Sequence, residues 1–263
     1  MRGAAPSAEE GCLSACGLSS TIHARRLLAL GLLGCSGLPN WAFAGQWSGF
    51  VAAGSDNVYR GLTQSRGEAS FSADLHWRSA ADWYAGMAIA TVNLNPGPGA
   101  PLELTSYLGR NFSVSPAWSA RATLLHYEYP QESQALHYAY DEVVMSLRYS
   151  DRAALNVGYS PDTSRFSFRA IAIHRPAYSA EMVWSQPLAR SWRANIGLGR
   201  YVMARPIGSA YNYGQVGVDF SHAQWQISGS VIGADANAKR LFGDFVSRAR
   251  GVVTIVWRFA GSP

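Results

Sequence analysis

Residues 68–78 read EASFSADLHWR, and this stretch decides the fold because its apolar and polar side chains alternate without interruption. Phe71, Leu75 and Trp77 lie on one face of an extended chain, and Asp74 lies on the other. A period of two is the pattern of a β-strand with one apolar and one polar face. We therefore predict a strand that separates an apolar environment from a polar one.

The same alternation recurs through the rest of the chain. It is found in residues 142–149, 192–199, 215–221, 224–228 and 253–259. After residue 45, no stretch approaches the roughly 18 to 20 continuous apolar residues that a transmembrane helix needs. The pattern therefore predicts an all-β protein and excludes a helical membrane protein.

The residues at the strand ends favour a membrane barrel over a soluble β-sandwich. The polar face of a soluble domain meets bulk water and is rich in lysine, but Lys239 is the only lysine here. Aromatic residues at strand ends form interfacial girdles in membrane barrels. The tryptophans near predicted strand ends are Trp47, Trp83, Trp118, Trp192, Trp225 and Trp257. We predict an antiparallel up-and-down transmembrane β-barrel.

Short and long links alternate between the predicted strands. The short links are 115–117, 150–152, 189–191 and 222–223, and the long ones are 63–67, 95–101, 131–135, 203–209 and 234–247. The short links are too brief for a crossover, so neighbouring strands must be antiparallel. The alternating segments number twelve or thirteen, and because bacterial single-chain barrels have an even number of strands, we predict twelve. Fourteen is the alternative, since residues 165–174 alternate only in part.

Residues 1–44 are predicted to be a signal peptide that is cleaved after Ala44. The pair Arg25-Arg26 precedes an apolar run, and Ala42-Phe43-Ala44 fits a small-x-small cleavage site. A competing interpretation makes Cys35 the lipidated residue of a lipoprotein. Residues 45–263 then form a single barrel domain, which is exported through the periplasm to the outer membrane of a Gram-negative bacterium.

Composition argues against several other classes of protein. All three cysteines lie before residue 45, so the domain has no disulfide, thiol nucleophile or thiolate metal site. The net charge is only +5, and the arginines are scattered, so no nucleic-acid partner is expected. No apolar oligomer face is evident, and a monomer is predicted. The expected partners are outer-membrane lipid and, during assembly, the barrel-insertion machinery.

Four spaced motifs follow one another through the barrel domain. They are SDNVYRGLTQS at 55–65, ELTSYLG at 103–109, YEYP at 127–130 and YDE at 140–142. They resemble motifs of the TorF-family porins, a proteobacterial group of outer-membrane β-barrels of unknown function. The chain departs from that pattern at Asn57, where an aromatic residue is usual, and at 161–176, which is longer. The resemblance implies an outer-membrane barrel regarded as a porin, without a known substrate.

If the apolar side chains face lipid, the charges of opposite parity line the lumen. The basic candidates are Arg78, Arg121, Arg148, Arg193 and Arg258, and the acidic ones are Glu68, Asp74, Glu103, Glu142, Glu181 and Asp219. The two signs nearly balance, whereas a strongly ion-selective pore has one sign at its constriction. Two interpretations stay open: these charges line a pore, or they pair across a narrow interior and hold it shut.

Arg60 is the most specific single candidate for a functional residue of the lumen. It lies between Tyr59 and Gly61, near the predicted end of the first strand. A guanidinium group can bind the carboxylate or phosphate of a solute in a bidentate manner. The alternative is a structural anchor that pairs with Glu103 or Glu142 and fixes barrel closure.

No catalytic centre is expected. Among the histidines only His126 merits a test as a general base, and no serine at a fitting spacing commits to the same face and depth. The chain has no Gly-x-Ser-x-Gly elbow, no glycine-rich phosphate loop and no histidine pair with metal spacing. We therefore predict no enzyme activity, no metal and no cofactor.

The last strand ends in alternating apolar residues close to the C-terminus. Its final pair, Trp257 and Phe259, resembles the signal that the barrel-insertion machinery reads. The favoured function is a porin-like channel for small hydrophilic solutes. The first alternative is a closed structural or binding barrel whose outer loops, such as 234–247, contact surface partners. A lipid-modifying outer-membrane enzyme is the third.

Overall fold

The computed structural model describes residues 45–94, 101–130, 139–163, 175–204 and 209–260. The predicted signal peptide, 1–44, lies outside these residues, as do 165–174. The barrel strands are β1 (Gly45–Gly54), β4 (Ser70–Ser79), β5 (Trp83–Thr91), β6 (Leu102–Ser113), β7 (Trp118–Glu128), β8 (Tyr140–Tyr149), β9 (Ala153–Thr163), β10 (Arg175–Ala189), β11 (Trp192–Met203), β12 (Ala210–His222), β13 (Trp225–Ala234) and β14 (Arg250–Ala260). Outside the wall are strands β2 (Val58–Tyr59) and β3 (Leu62–Thr63) and helices α1 (Ala236–Phe242) and α2 (Asp244–Ser247).

The twelve wall strands close into a barrel in which each strand pairs antiparallel with its neighbours. The ring is closed by β1 and β14, which pair from Ser48 and Ala260 to Gly54 and Thr254. A closed sheet has no unpaired edge, which is the condition for strands to cross a bilayer. The prediction of twelve strands is confirmed. Fourteen strands are not formed, because β9 pairs directly with β10.

The two ends of the barrel differ in their connections. At the end that we call the turn end, strands are joined by the short turns 80–82, 114–117, 150–152, 190–191 and 223–224. At the opposite end, the loop end, the links are 55–69, 92–101, 129–139, 164–174, 204–209 and 235–249. β1 begins and β14 ends at the turn end. Short turns on one side and long loops on the other are the arrangement of outer-membrane barrels.

The outward face of the barrel is apolar, as the alternation predicts. Phe71, Met87 and Leu198 are 62%, 61% and 67% exposed, because they point away from the lumen with nothing of the protein above them. Asp74, on the same strand as Phe71, points inward and is buried. A soluble barrel has an apolar interior and a polar outer surface, and this barrel has the reverse. An apolar outer surface around a polar interior suits a lipid environment.

Most tryptophans of the described residues lie near the turn end and are exposed on the outer surface. Four of them open the strand that follows a short turn, namely Trp83, Trp118, Trp192 and Trp225. Trp47 pairs with Trp77 in the sheet, and Trp225 pairs with Trp257. Such a ring is the interfacial girdle that the sequence indicates, with indole groups at the level of the lipid headgroups.

The link between β13 and β14, predicted as an open loop, contains the two helices. Asp235 caps α1 by accepting hydrogen bonds from the backbone N–H of Asn237 and Ala238, at 2.9 and 3.1 Å. Burial raises the pKa of Asp235, but the N–H groups that bind its carboxylate outweigh burial and hold the pKa below its ordinary value. Ala238 is fully buried against the barrel mouth. In the part of the chain that the structure describes, neither helix is long and apolar enough to cross a bilayer.

Candidate functional site: a hairpin inside the lumen

The first loop-end link folds back into the barrel as a small hairpin. We call residues 58–63, which form β2 and β3, the inner hairpin. Its turn is Arg60-Gly61, with φ angles of 50° and 79°. Two left-handed residues in a two-residue turn make the type I′ geometry that suits a tight hairpin. A β-carbon on Gly61 would lie 2.7 Å from the β-carbon of Tyr213, so both backbone angle and space require glycine there.

The tip of the inner hairpin reaches the part of the barrel wall that lies opposite β1. Arg60 Nη2 donates hydrogen bonds to Glu142 Oε1 on β8, at 2.5 Å, and to Ser179 Oγ on β10, at 3.0 Å. The side chains of Arg60 and Glu142 are only 9% and 2% exposed. The guanidinium carbon also lies 5.0 Å from the ring centre of Tyr201 on β11. The hairpin follows β1 in the chain, and its tip contacts β8 and β10 on the opposite side. It therefore extends across the lumen.

Apolar and aromatic contacts support the same position. Tyr59 packs beside Tyr127 of β7, and its hydroxyl lies 3.4 Å from Glu142 Oε2. Leu62 is buried in a cluster that includes Tyr211 of β12 and Ala238 of α1. The hairpin is therefore packed between the barrel wall and the helix that covers the loop end.

Asp56 fixes the base of the inner hairpin. Its Oδ1 accepts hydrogen bonds from the hydroxyls of Thr63, at 2.6 Å, and Ser65, at 2.7 Å, and from the backbone N–H of Gly67, at 3.3 Å. Its Oδ2 accepts from Arg250 Nη1 of β14, at 2.7 Å. Asp56 and Arg250 are 4% and 11% exposed, so this ion pair is nearly as buried as the one at the tip. Two ion pairs, one at each end, hold the inner hairpin in the lumen.

Three glutamates occupy the half of the lumen nearer the loop end, each with a tyrosine hydroxyl as donor. Tyr127 donates to Glu142 at 2.7 Å, and Tyr129 donates to Glu103 at 3.1 Å. Tyr213 donates to Glu181 at 3.2 Å. Burying these carboxylates is costly unless donors surround them. The tyrosines supply those donors, and Arg60 adds the positive charge.

The five arginines predicted to line the lumen lie nearer the turn end instead. Arg78 and Arg193 pair with the turn residues Asp82 and Asp151, at 2.6 and 2.8 Å. The hydrogen bond from Arg193 lowers the pKa of Asp151. Arg121 donates a hydrogen bond to Asn111, and Arg258 donates one to Gln226. Arg148 faces the lumen and is half-buried. The predicted basic lining residues therefore lie nearer the turn end and the three glutamates nearer the loop end, and each half also contains charges of the opposite sign, such as Arg60 beside Glu142 and Asp151 beside Arg193.

The two remaining acidic candidates of the wall have polar partners. Asp74 accepts from Tyr107 at 2.6 Å and lies 2.7 Å from His76 Nδ1. Asp219 accepts from Asn195 Nδ2 at 2.6 Å. Glu68 belongs to the first loop-end link, where Asn93 Nδ2 donates to it at 3.2 Å. Among the described residues, no group of acidic, histidine or cysteine side chains is arranged to hold a metal ion.

The inner hairpin itself is the feature that sequence reasoning missed. The pattern predicts Arg60 near the end of the first strand, but β1 ends at Gly54 and Arg60 lies at the tip of a separate hairpin. The available signal was the pair Arg60-Gly61 between Val58-Tyr59 and Leu62-Thr63, which is a two-residue hairpin pattern. Of the predicted lumen charges, the structure brings Arg60 and Glu142 into contact, whereas Glu103 pairs with Tyr129.

A closed twelve-stranded barrel with an apolar outer belt, an aromatic girdle and a polar, charged lumen defines a transmembrane β-barrel protein. The chain belongs to the bacterial family of unknown function Gcw_chp, whose family model matches residues 44–258. The match to this family model does not confirm the narrower resemblance to the TorF-family porins. A search of curated proteins finds no match.

Solved structures of membrane proteins are similar to this chain at low sequence identity. A structure from work on the in-meso crystallization of membrane proteins has a TM-score of 0.52 and 9% identity over 82% of this chain and 83% of its own. The KdgM porin has a TM-score of 0.49 and 8% identity over 81% and 99% of the two chains. The NanC porin has 0.49 and 9% over 84% and 100%. At such identities the similarity concerns the fold alone.

Proposed function

We propose that the protein is an outer-membrane channel for small hydrophilic solutes whose lumen is occupied by the inner hairpin at rest. The observation that carries the proposal is the way the hairpin is held. Arg60 and Asp56 bind it to the wall through two ion pairs and a set of hydrogen bonds, with no covalent link. Polar contacts of this kind can exchange with water, so the hairpin has a physical route out of the lumen.

The outer membrane of a Gram-negative bacterium is the proposed location. The apolar outer belt and the aromatic ring at the turn end support a bilayer environment. Short turns face the periplasm in such barrels, and that orientation puts the inner hairpin and α1 at the cell surface. Export through the periplasm, a monomeric state and membership of the TorF-family porins are part of the same proposal.

A closed structural or binding barrel is the second candidate. The packing of α1 over the loop end favours it, because Ala238 and Leu62 are buried together there. In that case surface partners would contact the exposed side of 235–249, where Lys239 pairs with Asp244 at 2.7 Å. The two candidates differ in whether ions pass once the inner hairpin is removed.

Planar-bilayer recordings of the wild-type protein and a variant lacking residues 58–63 test the proposal. We expect rare, brief conductance steps from the wild type and sustained conductance from the deletion, in which a short Gly-Ser link replaces the hairpin. Heat-modifiable migration on gels serves as the folding control for both proteins. Silence from a correctly folded deletion variant would count against a channel and favour the closed barrel.

The proposed assembly signal gives a separate prediction. Phe259 lies beside Gly49, where an added β-carbon would come within 2.7 Å of the Phe259 ring, and the ring centre of Trp257 lies 5.6 Å from that of Phe259. We expect Phe259→Ser to lower the amount of heat-modifiable barrel in outer-membrane fractions severalfold, because it removes apolar surface that the insertion machinery contacts. Phe71→Ser, an outward change near the loop end, is the matched control. Equal losses in both variants would contradict a special role for the last strand.

A further inference from the structure

The outer wall carries a depression of about 480 Å³ across β6, β7, β8 and β9, on the side that faces lipid. Two rows of outward side chains line it, each set by strand register. The row nearer the loop end is polar and consists of Ser106, His126 and Asp141, which pair in that order across β6, β7 and β8. The row below is apolar and consists of Leu108, Leu124, Val143 and Tyr159.

The boundary between these rows separates an apolar from a polar part of the outer surface of β6, β7 and β8. Leu108 and Leu124 are 46% and 57% exposed on the outer belt, which only hydrocarbon fits. His126 and Asp141 are about half exposed, and two ionisable groups at that depth belong in the interface. On β6, β7 and β8 the polar row suits the boundary between acyl chains and headgroups, where the ester bonds of lipids lie, whereas on β5 the same row continues into the apolar side chain of Met87.

The polar row brings together a serine, a histidine and an aspartate, the residue types of a serine hydrolase triad. His126 Nδ1 lies 2.7 Å from Asp141 Oδ1, which orients the imidazole and leaves Nε2 to face another group. Ser106 is the direct cross-strand neighbour of His126, and such pairs have β-carbons about 4.5 to 5.5 Å apart. A serine beside a histidine that a carboxylate orients is the arrangement that activates a hydroxyl as nucleophile.

We propose that Ser106, His126 and Asp141 hydrolyse an acyl ester of an outer-leaflet lipid, with the acyl chain lying along the apolar row. Ser106 Oγ attacks the ester carbonyl while His126 Nε2 takes its proton. The bond to the alcohol oxygen breaks, and that oxygen receives the proton from His126. Water, deprotonated by His126, then attacks the carbonyl of the acyl-serine. The bond between that carbonyl and Ser106 Oγ breaks, His126 returns the proton to Oγ, and a fatty acid is released. The net reaction consumes one ester and one water and forms one alcohol and one acid.

The chain contains a matched control on the other side of the wall. Ser48 Oγ lies 2.8 Å from His76 Nε2, and His76 Nδ1 lies 2.7 Å from Asp74 Oδ1. Tyr107 donates to the second oxygen of Asp74 at 2.6 Å. This set is more completely hydrogen-bonded than the outer one, but it faces the lumen, and Ser48 is 6% exposed. An acyl chain in the bilayer cannot reach it, so the two serines distinguish a lipid-facing site from a lumenal one.

The test uses the full barrel, isolated from outer membranes, in mixed micelles with phosphatidylethanolamine labelled in its acyl chains. We expect fatty acid release by the wild type and a rate at least about 100-fold lower for Ser106→Ala and His126→Asn. Ser48→Ala should retain the wild-type rate. Heat-modifiable migration establishes that each variant is folded. No release by the wild type, or full activity in Ser106→Ala, overturns the proposal.

Two further measurements identify the groups that act. A lipid-tailed fluorophosphonate should label Ser106, and a mass spectrum that places the label on Ser48 also overturns the proposal. Asp141 acts through His126 as a positioning residue, so Asp141→Asn should lower the rate and shift its pH profile. An unchanged pH profile with an unchanged rate contradicts that role. Bilayer conductance of Ser106→Ala should equal that of the wild type, which keeps this proposal separate from the channel.

Discussion

Arg60→Ala is expected to raise the open probability of the channel in planar bilayers by at least about tenfold. The change removes the ion pair with Glu142 and the hydrogen bond to Ser179 that hold the tip of the inner hairpin. Removing one partner of a buried pair costs roughly 3 to 5 kcal/mol, because the other charge is left uncompensated. About 1.4 kcal/mol of that, acting on the closed state alone, already gives a factor of ten.

Two variants serve as controls for Arg60→Ala. Arg60→Lys keeps the positive charge near Glu142 and should give an intermediate open probability. Arg193→Gln removes an arginine whose partner Asp151 is half exposed at the turn end, and it should leave gating unchanged. If Arg60→Ala and Arg193→Gln behave alike, the contact with Glu142 is not what keeps the hairpin in the lumen.

Asp56→Ala is expected to expose the inner hairpin to trypsin in otherwise folded protein. The change removes three hydrogen bonds within the link and leaves Arg250 buried without its partner. Hydrogen bonds to a charged group are worth about 1.5 to 3 kcal/mol each, so the hairpin should detach far more often. Because Arg60 is buried at rest, cleavage after it reports detachment. Even about 2 kcal/mol raises the detached population roughly 30-fold.

The cleavage site is read by mass spectrometry of outer-membrane vesicles digested for a short time. Asp244→Ala is the matched control, since it removes the exposed ion pair with Lys239 in the neighbouring link. We expect that control to be cut after Arg60 no faster than the wild type. A slow rate in Asp56→Ala as well would show that the apolar contacts of Leu62 and Tyr59 suffice to hold the hairpin.

The sequence predicts the wall of the barrel well because the information is local. Phe71 and Asp74 are close in the chain, and strand geometry alone sends them to opposite faces. The number of strands follows from turns such as 114–117 and 150–152, which are too short for any other connection. The one uncertain stretch, 165–174, has no regular alternation.

The inner hairpin and the outer polar row depend on information that is not local. Arg60 meets Glu142 across 82 residues of chain, and nothing near Arg60 in sequence says which way the link folds. Ser106, His126 and Asp141 share one level only because of the register of three strands, which the lengths of two links determine. Periodicity predicts which face of the sheet a residue is on but not its position along the barrel axis. The two Ser–His–Asp sets differ in both, since one faces lipid and the other faces the lumen.

The inner hairpin has an electrical consequence as well as a mechanical one. While it is in place, Arg60 compensates the charge of Glu142, and at the turn end Arg78 and Arg193 are compensated by Asp82 and Asp151. A hairpin that leaves the lumen takes Arg60 with it, so the loop-end half of the lumen becomes more negative. Carboxylates that line a pore favour cations, and we expect the open barrel to pass cations in preference to anions.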